Sequence, residues 1–296
     1  VDPSTKLYTE YQWENLEDNT RNVSVVGAER QWEMGEGLKL LLSGEYGSIA
    51  AESGDIDRYA IAGGVNYSHP AGFKAASRQE FRKEDGLETI FQFLSSNNLE
   101  LKLNPDFTLL GKLRYSNTRN TDTDEKEAGF SEYSLGLAYR PVAFDRFNAL
   151  AKYTLLSDEG PRRADELLLA DTQSQVASIE WIFDVTRNLQ WVEKFAYKME
   201  SETVGDLPQQ DTQTMLSISR LNWNFWRKFG LGLEYRLLTQ LEPKNSQNGW
   251  LTELMWEPLD HFRIGVGYNF TDFSDNEFAE NDHSYGGAFF RFQVTY

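Results

Sequence analysis

Charged side chains that alternate with apolar ones are the chemically informative residues of this 296-residue chain. Lys74, Arg78, Glu80 and Arg82 fall at even positions between Phe73, Ala75 and Phe81, and the pattern returns at Lys112 and Arg114 and again at Lys152 and Lys194. On an extended strand residues two apart share a face, so this spacing collects charge on one side and hydrocarbon on the other. The chemistry open to such a surface is electrostatic: holding water, attracting ions and pairing across strands. Catalysis has thin support. His69 and His261 fall in turns, and His283 beside Asp282 is too little for a Ser–His or Asp–His hydrolase site. Cysteine is absent, which removes thiolate ligands, thiol nucleophiles and disulfides together. We therefore expect no enzyme and no cofactor.

Acidic clusters offer one further chemistry. Asp122, Asp124, Glu125 and Glu127 crowd one connection, and Asp272, Asp275, Glu277, Glu280 and Asp282 another. Carboxylates at that density can share Ca²⁺ or Mg²⁺, with Asp122, Asp124, Asp272 and Asp275 as the candidate ligands, although neither run has EF-hand spacing. A solvated acidic surface is the commoner outcome of such a run.

The elements that carry these residues are strands. Leu7, Thr9, Tyr11 and Trp13 alternate with Tyr8, Glu10 and Gln12; Leu38, Leu40, Leu42 and Tyr46 alternate with Lys39, Ser43 and Glu45. The same period runs through Tyr59–Tyr67, Thr89–Leu103, Leu109–Tyr115, Tyr133–Tyr139, Phe147–Tyr153, Ala177–Phe183, Leu189–Tyr197, Phe229–Leu237, Trp250–Trp256 and Phe262–Phe270. Thr214 to Phe225 has no clean register, because Leu216 and Ile218 compete with Leu221, Trp223 and Phe225 for one face; a bulge is expected there. The reading gives about 16 strands, joined alternately by long acidic loops and short turns such as His69-Pro70-Ala71-Gly72 and Asn104-Pro105-Asp106. Aromatics stand at strand ends, among them Trp13, Tyr46, Tyr67, Tyr115, Tyr139 and Trp256. The last strand alternates Ala288, Phe290, Phe292, Val294 and Tyr296, and the sequence ends on that ring.

Composition narrows the setting. The 46 acidic residues against 29 basic ones give a net charge of -17, which argues against nucleic acid as a partner. Mean hydropathy is -0.57 and no apolar run approaches the roughly 18 residues of a helical span. Alternating strands keep that average low, so a membrane barrel remains open. A large soluble β-protein would alternate similarly, but it would not gather aromatics at strand ends.

The whole chain resembles a porin-type outer-membrane β-barrel of Gram-negative bacteria, and Phe290, Phe292, Val294 and Tyr296 resemble the signal read by the outer-membrane assembly machinery. The resemblance implies an all-β fold, a closed antiparallel barrel of about 16 strands. It implies contact with outer-membrane lipid and lipopolysaccharide, a bacterial outer-membrane location and both termini in the periplasm. Diffusion porins fold one long loop into the pore, and no connection here is long enough to do so. Leu103 to Lys112 and Leu137 to Arg146 also resemble C-terminal barrel domains of large surface proteins. Val1-Asp2-Pro3 lacks the basic start and apolar core of a signal peptide. The expectation is one barrel domain over 1–296, either a mature protein or the C-terminal domain of a longer precursor.

Charge then divides the inner face. Lys74, Arg78, Arg82, Lys102, Lys112, Arg114, Arg140, Lys152, Lys194 and Lys198 form an expected basic wall, with Glu80, Glu100 and Glu180 among them. Glu10, Glu29, Glu45, Glu234 and Glu253 form an acidic arc, with Lys39 and Arg236 against the trend. Opposed walls of this kind focus a field across a confined lumen; pairing across strands is the plainer alternative. Two functions follow. One is a pore for small hydrophilic solutes or a polymer, favoured because about 16 strands leave an aqueous channel. The other is an anchor or translocator for a larger surface or secreted protein, with other subunits or an N-terminal domain as partners.

Overall fold

The computed structural model describes residues 4–16, 19–51, 54–160, 170–205, 207–241, 244–259, 261–270 and 286–294. Strands follow one another along the whole chain: β1 (Thr5–Leu16), β2 (Asn19–Gly35), β3 (Leu38–Ala51), β4 (Gly54–His69), β5 (Phe73–Asp85), β6 (Thr89–Lys102), β7 (Phe107–Asn120) and β8 (Lys126–Tyr139). The second half adds β9 (Phe147–Glu159), β10 (Ala170–Asp184), β11 (Leu189–Val204), β12 (Gln210–Trp226), β13 (Phe229–Gln240), β14 (Asn245–Leu259), β15 (Phe262–Asn269) and β16 (Gly287–Val294). They form a single 16-stranded sheet in sequence order, each strand antiparallel to the next. This is the up-and-down wall of a transmembrane β-barrel. Among the described residues no Cα of β1 lies within 8 Å of one in β16.

The two faces separate as the period of two dictates. Leu42, Tyr59, Ile61, Phe81, Leu135, Phe195, Leu221, Leu254, Phe290, Phe292 and Val294 are exposed on the convex side. Ser43, Ala62, Ala196, Leu216, Glu234, Arg236, Leu251 and Glu253 are buried on the concave side. The direction of burial thus assigns an outer, lipid-compatible face and an inner one. Aromatic contacts form two bands on the outer face. Tyr67–Phe73, Phe107–Tyr139, Trp181–Trp191 and Phe229–Trp256 lie towards one rim. Tyr46–Tyr59, Phe81–Phe93, Phe93–Tyr115 and Tyr235–Trp250 lie towards the other. Tyr59 and Tyr67 mark both bands on β4, about 26 Å apart at ~3.3 Å per residue along the strand. A tilt of about 40° brings that to roughly 20 Å across the membrane, near the usual height of a barrel's apolar belt.

One expectation is corrected and a second is located. The connections do not sort strictly into long and short, because backbone pairing continues beyond the apolar belt. Asn15 ladders with Thr20 across a run of polar residues, and Ala51 pairs with Gly54. Polar residues in water pair as well as apolar ones in lipid, so the hairpins simply extend past the membrane. The irregularity expected in β12 is present, at the end of the stretch rather than in its middle. Against β11 the ladder is continuous from Gln210 to Trp223; the register shift lies between Trp223 and Trp226, against β13. Leu216 and Ile218 confused the reading because they face inward, packed with Ala196 and Leu238, while Ser217 and Ser219 face outward. Tyr296, Asp272, Asp275 and His283 lie outside the described residues.

Candidate functional site: the charged inner wall

The inner wall is built from carboxylates and cations that reach across strands, and small residues decide where they can. Arg220 on β12 donates from Nη1 to Glu234 on β13 at 3.0 Å and from Nη2 to Glu253 on β14 at 2.7 Å. To reach β14 it must cross β13, and it does so over Gly232, where a Cβ would stand 2.8 Å from Nη2. Glu253 is fully buried and lies 3.4 Å from Arg291 on β16. It projects over Gly265 on β15, whose added Cβ would approach its Oε1 closely. Arg236 completes the group through Glu234. The result is an Arg–Glu–Arg–Glu–Arg belt across five strands, with Glu234 and Arg236 also nearly inaccessible. Ion pairs this buried carry a large desolvation cost, so each partner's removal would strand an uncompensated charge. The belt borders a cavity of about 1240 Å³ that opens among the turns 185–188 and 227–228.

The opposite end of the sheet is built differently. Glu10, Glu29 and Glu45 face the same concave side, but no Lys or Arg side chain pairs with them among the described residues. Glu45 accepts the Tyr8 hydroxyl across Gly27, and Glu10 accepts the Gln12 amide. The sequence placed these three and Glu234 and Glu253 in one acidic arc; the structure puts cations beside only the last two.

Between them lies the expected basic set. Lys74 pairs with Glu100 at 3.0 Å, and Arg78 and Arg82 share Glu80, Arg78 also reaching the Ser43 hydroxyl at 3.2 Å. Lys112 and Arg114 share Glu132 at 2.8 and 3.5 Å. Glu132 was passed over by sequence reasoning, although it stands directly opposite Arg114 in the ladder. Lys152 and Lys194 have no carboxylate within 4 Å among the described residues, even though Lys194 stands opposite Glu180. Arg140 is exposed at the start of a turn.

Of the candidate cation ligands, Asp122 accepts the Thr89 backbone N–H at 2.8 Å and Asp124 pairs with Arg119 at 2.9 Å. Both carboxylates are thus engaged within the protein, and among the described residues no group of three or more His, Asp or Glu is arranged to hold a metal. His69 accepts the Ala71 N–H and shapes its own turn.

An apolar, aromatic-banded outside and an ion-paired inside on one up-and-down antiparallel sheet define the outer-membrane β-barrel class. Solved structures place the fold there as well. The siderophore receptor PiuA from Acinetobacter baumannii superposes with a TM-score of 0.55 at 8% identity, over 93% of this chain and 57% of the receptor. The ferric-catecholate import receptor Fiu from E. coli K12 gives 0.53 at 9% identity, over 85% of this chain and 57% of that one. The chain thus spans little more than half the length of either receptor. No protein-family model and no curated relative matches it.

Proposed function

We propose that this chain forms an aqueous passage through the bacterial outer membrane for small hydrophilic solutes or a polymer. The observation that carries the reading is the charge of the concave face, from Lys74 and Glu100 round to Glu253 and Arg291. Exposed to lipid, an Arg or Lys at mid-membrane costs roughly 2–4 kcal/mol in a barrel; facing an aqueous lumen it remains hydrated and pairs at little cost. Lys152 and Lys194, lacking carboxylate partners among the described residues, are the residues best able to act on a passing anion. The turns at 36–37, 70–72, 103–106 and 227–228 share one rim with the start of β1 and the end of β16, and we assign that rim to the periplasm. The asymmetry in composition supports this, since the acidic connections collect on the other side.

Proteoliposomes containing the chain should swell in isotonic solutions of small sugars or amino acids. Swelling no faster than empty vesicles would reject the passage and leave the membrane-anchor role. Orientation has its own test: a Cys placed at Ala71 should resist a membrane-impermeant thiol reagent added to intact cells, and rapid labelling would reverse the assignment.

A further inference from the structure

On the outer face, the apolar alternation of β5 and β6 breaks at one height. Ser77 and Gln79 occupy outward positions between Phe73 and Phe81, and Ser95 and Asn97 occupy them between Phe93 and Leu99. The ladder sets Ser77 opposite Asn97 and Gln79 opposite Ser95, so the four form one contiguous patch. They bond to one another. Ser77 donates to the Asn97 Oδ1 at 2.7 Å, the Gln79 amide reaches the Ser77 hydroxyl at 3.1 Å and the Asn97 Oδ1 at 3.4 Å, and the Asn97 amide donates to Ser95 at 2.8 Å. Beside Gln79 on β4 is Gly63, and a Cβ there would meet nothing within 4 Å. The patch is therefore a shallow polar notch midway between the two aromatic bands.

At that depth a lipid offers only hydrocarbon, with neither donor nor acceptor. The internal bonds leave two valences unspent among the described residues: the Gln79 Oε1 accepts nothing, and the Asn97 amide has a second proton to give. An acceptor and a donor held side by side on an uncharged surface are complementary to their own image under a two-fold axis. Gly63 and the two serines let the walls approach closely, as small residues do wherever membrane proteins associate. The polar break on β11 and β12 lacks this property. There Glu193 accepts from Ser217 at 3.2 Å, from Ser219 and from Trp191 at 3.2 Å, and its charge would repel its own copy.

We infer that the β5–β6 notch is the interface with a second copy of this chain, joined in the plane of the membrane by reciprocal Gln79–Asn97 amide bonds. The inference rests on the membrane-barrel reading and on nothing about what passes through the lumen. The absence of cysteine makes a direct test available. Full chains carrying Ser77→Cys or Ser95→Cys, inserted in phospholipid vesicles, should oxidise to a product of twice the monomer mass, while Leu233→Cys on the far wall should not. Adding Gln79→Leu with Asn97→Leu to the Ser95→Cys chain should weaken association about tenfold, as the loss of two amide bonds between membrane-embedded surfaces would. Glu193→Gln should leave it unchanged. Protease protection and heat-modifiable mobility establish insertion first. A chain that does not insert overturns this inference and the passage together. One that inserts but gives no dimer, a product of another mass, or equal cross-linking from Leu233→Cys overturns the interface alone.

Discussion

Two ends of the same inner wall treat their carboxylates in opposite ways. On β12 to β16, Glu234 and Glu253 are buried and held by Arg220, Arg236 and Arg291. On β1 to β3, Glu10, Glu29 and Glu45 face the same space, and among the described residues Tyr8 and Gln12 are the hydrogen-bond donors to two of them. Charge count along a strand therefore says little about lumen potential. What matters is whether a cation two strands away can cross the strand between. Over Gly232 and Gly265 it can; over Gly27 the group that crosses is a neutral phenol. The paired end is a clamp and the unpaired end is a charged surface.

Removing a partner at the clamp should have the largest effect. Arg220→Met leaves Glu234 and Glu253 short of a cation, and breaking a buried pair typically costs about 3–5 kcal/mol. Urea unfolding in detergent should show that loss, whereas Glu45→Gln on β3 should move the midpoint far less. Equal effects at the two ends would erase the distinction. Next comes the crossing point itself. Gly265→Leu places a side chain where the Glu253 carboxylate lies, and overpacking of that kind costs about 1–3 kcal/mol. The same substitution at Gly63, open on the outer wall, should cost clearly less in monomeric protein. Smallest is Tyr8→Phe, which removes one part-buried hydrogen bond to a carboxylate, worth about 1.5 kcal/mol, the low end for bonds to charged groups; a larger loss would mean that β1 depends on Glu45 as β12 depends on Glu253.

The fold was legible because a strand's period is local. Phe290, Phe292 and Val294 announce their face without reference to any other strand, and from β3 to β11 Leu42, Ile61, Phe81, Tyr115, Leu135, Tyr153 and Phe195 are exposed on the side that alternation assigns them. The break in that alternation at Ser77, Gln79, Ser95 and Asn97 was equally visible, as gaps between Ala75 and Phe81 and between Phe93 and Leu99. Connection lengths were harder, since acidic composition marks water rather than the end of a ladder; Asn15 and Thr20 are polar and paired. Pairing on the inner wall was hardest. Glu132 joins Lys112 and Arg114 only once the register of β7 on β8 is known. The Arg220–Glu253 contact also needs the order β12, β13, β14 and a glycine in the middle. Inward glycines flanked by charged residues on neighbouring strands were the available signal, carried by G-L-G-L-E (Gly230 to Glu234) and I-G-V-G-Y (Ile264 to Tyr268).

The proposed passage requires that the concave face border water through which ions move. Single-channel recording in a planar bilayer under a salt gradient tests it most directly, comparing the native chain with one carrying Arg78→Glu, Arg114→Glu and Lys152→Glu. Discrete conductance is expected for both, with a reversal potential shifted towards cations in the triple variant, since charges lining one wall act within a Debye length of about 8–10 Å. An unchanged reversal potential would make those charges structural only, and a native chain that never conducts would contradict the passage itself.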